Sequence, residues 1–268
     1  LDLLQCQRCG LLVSTQMPPD EVLASRYRED YWSRYGEEQV GSGRGNVHAH
    51  AWDWVKKLRP DPGLLVDVGC GSGALLALCQ KENWEGIGFD LSTQAVAYAR
   101  PRGLEAYEHP WPPCNLADET ADAVTFINVL DHLRDPFGAL REAWRILRPG
   151  GLLYIRAPNG PAHARLISLL SAVRLGYLPV FHLFGFGRTA LLHHLPRLGF
   201  AVIGVRTAPP SRVDPYGQTS LWRSACTSFL KKADRIAYRF LAGLGLDRRG
   251  WGLSLEVMAY KVHLNTKG

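Results

Sequence analysis

The sequence predicts an α/β chain built on a doubly wound, largely parallel sheet. Three observations carry the prediction. From Leu64 onward, short apolar runs alternate with amphipathic helical stretches. The first run, LLVDVG at 64–69, leads through glycines at 69, 71 and 73 straight into a helical pattern. The 268 residues, 46% hydrophobic and 21% charged, suffice for one large core with a small appendage.

The elements follow in order. Residues 1–15 are a short Cys-bearing segment, and 18–38 read as a helix after two prolines, with Asp20 as N-cap. GSGRG at 41–45 breaks that helix; NVHAHAWDWVKKL at 46–58 is a second one, ended by the turn signal RPDPG. LLVDVG is then a buried strand and GALLALCQKE a helix, followed by strand EGIGFDLS, helix TQAVAYARPRG and short strand LEAYE. ADAVTFINVL is a fourth strand, DPFGALREAWRIL a helix, RPGG a turn and LLYIRAP a fifth strand. This alternation implies right-handed βαβ units with helices on both faces. Beyond Pro158 the rhythm changes. Residues 161–187 predict a helical insertion rich in Leu and Phe, RTALLHHLPRLGF a helix and AVIGVRTA a sixth strand. A basic helical stretch at 220–246 precedes LSLEVMAYKVH, a last strand expected antiparallel to the sixth.

A net charge of +6 permits acidic partners without requiring them, and no nucleic-acid-binding module is found. Cysteines at 6, 9, 70, 79, 114 and 226 show no disulfide framework spacing, which points to a reducing, cytoplasmic setting. The opening LDLLQCQRCG lacks a basic region before an apolar core, so no signal peptide is expected there. The longest apolar stretch, 166–187, is interrupted by Arg174, Pro179 and His182 and reads as a buried cap rather than a membrane span.

The glycine turn allows two ligands. Gly69, Gly71 and Ala74 fit a dinucleotide fingerprint, with Asp90 about 20 residues on, where that fingerprint wants an acid for the ribose. Charge separates the candidates. A pyrophosphate at the helix N-terminus would meet the repelling carboxylate of Asp67, whereas a ligand carrying an ammonium and a sulfonium would be attracted by it. S-adenosylmethionine is such a ligand, and Asp90 can accept from its ribose hydroxyls. A reductase on the same turn would need a hydride-site signature such as Tyr-x-x-x-Lys after the fourth strand, and none is present.

VDVGCGSG, GFDLS, ADAVTFINVLDHLRDP and LRPGGLLYIRAPNG resemble, in order and spacing, the successive motifs of class I S-adenosylmethionine-dependent methyltransferases over roughly residues 60–160. The resemblance implies a Rossmann-like seven-stranded mixed sheet of order 3-2-1-4-5-7-6 with an antiparallel last strand. It implies cofactor contacts from Asp67, Gly69, Cys70, Gly71 and Gly73, from Asp90 with Leu91, and from Asn128 and Val129. CQRCGLLVSTQMPPDEVLASRYREDYW is similar to the head of a small-molecule subgroup in which a zinc ribbon's last Cys pair precedes a Tyr-rich helix. FHLFGFGRTALLHHLPRLGF resembles that subgroup's aromatic segment. The implied division is a zinc-ribbon-like segment at 1–17, helices covering the cofactor site at 18–60, and a methyltransferase domain at 61–268 with insertions at about 161–187 and 220–250. The ribbon's first Cys pair is absent from this sequence, and 108–113 is proline-rich where the family often carries an acid near the adenine.

Several residues keep two readings. Asp90 holds the ribose or caps the helix near Ser92; Asn128 touches the cofactor or caps a turn. Asp131 and His132 resemble the family's Glu-His pair, serving acceptor deprotonation or packing. His182, in an apolar aromatic segment, is a general base for the acceptor or a satisfied structural histidine. Leu169, Leu178, Phe181, Phe184 and Phe186 are expected to roof a pocket for a small, partly hydrophobic acceptor. Cys6 and Cys9 have the spacing of half a tetrahedral zinc site, while Cys70 reads as a packing residue. His48 and His50, two apart on different helix faces, make no paired metal site, and His193 and His194 read as surface or packing residues. The basic stretch 229–249 interleaves cations with apolar positions, which suits a solvated helix or contact with an anionic membrane. An inactive cofactor-binding scaffold docked through that helix is the alternative to an enzyme. Oligomeric state is left open.

Overall fold

The computed structural model describes residues 3–25, 27–28, 32, 45–172, 182–211 and 221–262. In chain order the elements are β1 (Leu3–Gln5), β2 (Leu12–Ser14), α1 (Asp20–Ser25), α2 (Gly45–Leu58), β3 (Leu64–Val68), α3 (Ala74–Gln80), β4 (Glu85–Asp90), α4 (Thr93–Ala99), β5 (Glu105–Glu108) and β6 (Ala121–Ile127). They continue with α5 (Pro136–Ile146), β7 (Leu147–Pro158), α6 (Gly160–Ala172), β8 (Phe184–Gly185), α7 (Arg188–His194), β9 (Phe200–Thr207), α8 (Leu221–Gly243) and β10 (Ser254–Lys261).

Seven strands form the central sheet in the order β5-β4-β3-β6-β7-β10-β9. Counted along the chain within that sheet, this is the expected 3-2-1-4-5-7-6 order. β3 pairs parallel with β4 and β6, while β10 runs antiparallel between β7 and β9. Central strands are buried on both faces, which is why β6 reads as ADAVTFI with every residue buried. One apolar cluster includes Val66, Phe126, Ile155 and Phe186, and the other Val55, Leu76, Tyr154 and Trp84. α2 contributes Val47, Ala51, Trp52 and Val55, the one-sided stripe its sequence predicts. Below the sheet, buried Asp122 accepts from the Leu64 amide (2.9 Å) and from Arg59 (2.7 Å), so its charge is satisfied where β3 begins.

Local chemistry sets the boundaries. Ser92 caps α4 by accepting from the Ala95 amide (3.3 Å), and Asp135 caps α5 by accepting from Gly138 (2.7 Å), with Pro136 at the first helical position.

Two expectations need correction. The RPGG turn expected before the fifth strand is incorporated into β7, which starts at Leu147 because Ala121 already pairs with that residue. The insertion expected to be helical over 161–187 is helical only through Ala172 among its described residues, and it ends in strand β8. β8 adds to the edge of the β1–β2 hairpin, making a three-stranded sheet with Leu12 opposite Gly185. Backbone groups of Phe184 and Gly185 thus find partners at a free strand edge. The remainder of the expected insertion, 173–181, lies outside the described residues.

Candidate active site

Above the carboxyl ends of β3, β4 and β6 lies a cavity of about 350 Å³. A doubly wound sheet places its ligand there, at the switch point beside the first strand. Gly69, Cys70 and Gly71 form its floor, and Asp90 and Leu91 one wall. Asn128, Val129 and His132 come from the end of β6. Gly69 has φ +73°, and a Cβ there would collide with Val129 Cγ2. The chain can therefore cross under the cavity this closely only with glycine. Gly73 stands behind the cavity, where it begins α3.

Asp90 joins the two halves of the cradle. Its Oδ2 accepts from the Gly71 amide and its Oδ1 from the Ser92 amide, both at 2.8 Å. Ser92 caps the helix, so Asp90 is left to face the cavity. Burial raises its pKa, against the two amides. Asp67 lies beneath the loop rather than on the cavity wall. It is buried, accepts from the Thr125 hydroxyl at 2.6 Å, and is pushed up to about 7 by burial, with Asp90 adding to the rise. Two carboxylates that resist ionisation stand close together, and a positively charged ligand would relieve both. The Cys70 and Cys79 thiols are buried and their pKa values are raised, as expected of packing residues.

Asn128 sits at φ +57° with both ends fastened to one residue. Its amide donates to the Arg156 carbonyl (2.8 Å), and the Arg156 guanidinium donates to its Oδ1. That guanidinium also reaches the Pro209 carbonyl at 3.0 Å. Arg156 is buried on β7, and a charge inside an apolar strand gives no hint in sequence of where its head points.

Asp131, His132 and His182 come together. Asp131, only 1% exposed, lies in the turn after β6, with His182 Nδ1 against its Oδ2 and His132 Nε2 at 3.5 Å from the same oxygen. The two imidazole rings are 4.8 Å apart. Burial pushes the Asp131 carboxyl up, but the His132 charge and the His182 hydrogen bond outweigh it and hold it at about 2. His163 adjoins the cluster, its pKa lowered by burial and by His182. The Leu183 amide donates to the Asp131 carbonyl (3.0 Å), and the Ser14 amide to the Leu183 carbonyl (2.9 Å), so the three-stranded sheet holds His182 in place. His132 borders the cavity, whereas Asp131 and His182 stand behind it. One ligand atom from each of the three residues lies within 4.8 Å of the others, an arrangement that could also hold a metal ion.

The expected roof is different. Leu169 is exposed and Phe186 is buried in the core beside Phe137, because β8 draws this segment onto the N-terminal hairpin. Phe184 is half-buried on that strand, while Leu178 and Phe181 lie outside the described residues. Cavity walls come instead from Leu23, Tyr27, Val47 and His48 on the N-terminal helices and from His109, Pro110 and Trp111. Trp111 packs on Phe89 with ring centres 5.3 Å apart, and its indole donates to the Ala139 carbonyl at 3.1 Å. The proline-rich loop at 108–113 shows no periodicity, so the sequence does not mark its contact residues. Cys6 and Cys9 occupy the β1–β2 turn, Cys6 exposed and Cys9 buried. The Cys9 backbone amide and side chain draw the Cys6 thiol below its usual value. His48 and His50 point apart: His48 borders the cavity and His50 Nε2 is 2.9 Å from Glu256. His194 packs on Phe137 at 4.5 Å.

The profile of the methyltransferase domain family matches residues 44–205, and the chain belongs to that family. Among curated proteins, it is 32% identical over 137 residues to the ubiquinone biosynthesis O-methyltransferase of Paracidovorax citrulli, covering 47% of this chain and 57% of that protein. The enzyme of the same name from Ralstonia nicotianae is 31% identical over 128 residues, covering 45% and 54%. The chain thus spans about half the length of the curated relatives it matches. Among solved structures, a SAM-dependent methyltransferase from Thermotoga maritima superposes with TM-score 0.57 at 20% identity, covering 87% of this chain and 99% of that one. Geranyl diphosphate C-methyltransferase from Streptomyces coelicolor gives 0.55 at 14% identity, covering 81% and 80%. These structures share the fold. Among the described residues, no helix is long and apolar enough to cross a membrane.

Proposed function

We propose that this chain transfers a methyl group from S-adenosylmethionine to a hydroxyl of a small, partly hydrophobic acceptor. The observation that carries the reading is one cavity whose floor is the glycine turn with Asp90 and whose rim is His132 of the Asp131–His182 cluster. Oxygen is favoured over carbon or nitrogen because the curated relatives are named as O-methyltransferases.

The residues present fit the cofactor. Asp90 keeps lone pairs for the ribose hydroxyls beyond the two amides it serves, and Phe89 and Trp111 offer an aromatic wall to a flat base. Asp67 and Asp90 supply the negative potential that a cationic ligand needs and a pyrophosphate would resist. When bound, S-adenosylmethionine supplies an electrophilic methyl group on a sulfonium. The chain's own part is to hold the acceptor close and aligned, a contribution of roughly 7–11 kcal/mol in well-oriented reactions. His132, on the rim of the cavity, takes the acceptor's proton, and the Asp131 carboxylate, shared with His182 behind it, stabilises the imidazolium that results. Tyr27, Leu23 and Val47 limit the acceptor to a small molecule and exclude water.

Incubation with a labelled methyl donor and a panel of phenols and catechols tests the reading. Labelled methyl ethers are the expected product; tight cofactor binding with no transfer to any acceptor points to a scaffold instead. The Cys6–Cys9 turn, with its lowered thiol, supports the further reading of two thiolate ligands of a zinc site. Metal analysis of the purified chain, with and without Cys6→Ser, tests it.

A further inference from the structure

The outer face of α8 has no part in the site just described. Over 232–244 its burial follows the helical period: Asp234, Arg235, Tyr238 and Leu241 are half-buried, while Lys232, Ile236, Arg239 and Phe240 are exposed. The inner side is accounted for. Asp234 accepts from the Leu253 backbone, and burial, with the Glu256 carboxylate adding to it, raises the Tyr238 pKa. The outer side is not. Ile236 is 69% and Phe240 65% exposed, one helical turn apart, and Leu244 continues the line at 58%. Exposed cations frame this stripe: Lys232 and Arg239 on the helix, then Arg248 and Arg249 after it. Both acids of the stretch, Asp234 and Asp247, are half-buried. Trp251, also exposed, lies beside this end of the helix, with the Arg249 guanidinium 4.9 Å from its ring centre.

We propose that this face docks on an anionic lipid surface, with Ile236, Phe240 and Leu244 entering the boundary between head groups and acyl chains. The charge pattern commits the face to that occupant. A soluble protein partner covering an apolar stripe would need acids matched to four separate cations, whereas a bilayer rich in anionic head groups meets all of them at once. The stripe's aliphatic and aromatic make-up, with basic residues beside it and a tryptophan at one end, is that of a helix lying in the interface plane.

The test is flotation of the purified chain with phosphatidylcholine vesicles, with and without phosphatidylserine. Flotation with the anionic vesicles only is expected, lost at high salt. It should fall at least about tenfold for Ile236→Ser/Phe240→Ser and for Lys232→Glu/Arg239→Glu. Every substituted side chain is exposed, so the fold should survive. Ile203→Ser, another exposed apolar position, on β9, is expected to float as wild type does. Three results overturn the proposal: no flotation with anionic vesicles, flotation unchanged by the α8 variants, or self-association that Ile236→Ser/Phe240→Ser abolishes without any vesicle binding. The last would make the face a contact between copies of the chain.

Discussion

The Gly71 amide donates to Asp90 Oδ2 at 2.8 Å, tying the glycine turn after β3 to the end of β4. Two sequence motifs 19 residues apart thereby meet on the lining of one cavity. Asp90→Asn keeps the shape but sets an NH2 group against one of the two backbone amides and removes the charge. Hydrogen bonds to charged groups contribute about 1.5–3 kcal/mol, so S-adenosylmethionine binding should weaken roughly 10- to 100-fold. Calorimetry checks this, with circular dichroism confirming an unchanged fold.

Asp67 gives the ligand-free protein a pH-dependent weakness. Its folded pKa of about 7 lies above the ordinary 3.8, chiefly because of burial. An acid raised in this way stabilises the fold fully below its unfolded value and loses that contribution as pH rises through the folded one. The window therefore runs from about 4 to 7, and the loss is on the order of a few kcal/mol. Asp67→Asn retains the Thr125 contact without the charge. It should raise the unfolding free energy at about pH 8 and flatten its fall with pH. Denaturant titrations at several pH values measure both effects. The same substitution should weaken binding of the sulfonium cofactor more than that of its neutral thioether product.

His132→Ala should lower kcat by about 10²–10⁴-fold, as loss of a general base on the cavity rim would. Asp131→Asn should do the same with an altered pH profile, since the amide cannot stabilise an imidazolium. Direct contact between His182 Nδ1 and Asp131 makes each group the other's partner, so chelation should not change the rate. Loss of activity on chelation, restored by a divalent cation, would assign the three residues to a metal.

Gly69→Ala places a methyl group on Val129 in a left-handed backbone conformation. Strain of this kind costs on the order of 1–3 kcal/mol. A lower melting temperature with abolished cofactor binding is expected; Val129→Ala should partly restore both by making room.

The sheet was legible because β3, β4, β6 and β7 are apolar runs punctuated by glycines, prolines and caps, each a local signal. Asp90 was legible too, because it ends a strand at a fixed distance from the glycine turn. The cavity's other walls were not. Tyr27, His109 and Trp111 reach it from just past the end of α1 and from a proline-rich loop, where position depends on tertiary packing rather than on periodicity. β8 is silent in the sequence because a two-residue strand leaves no alternation to detect, and its pairing with β2 defines it. Arg156 carries no sequence signal because its partner, Asn128, is 28 residues away on the neighbouring strand's exit.

Calorimetric titration with S-adenosylmethionine, S-adenosylhomocysteine and NADH tests the central claim most directly. Binding of the first two in the micromolar range, weakened in Asp90→Asn, with no heat from NADH, is the expected result. Binding of NADH alone would contradict it and return the glycine turn to a dinucleotide.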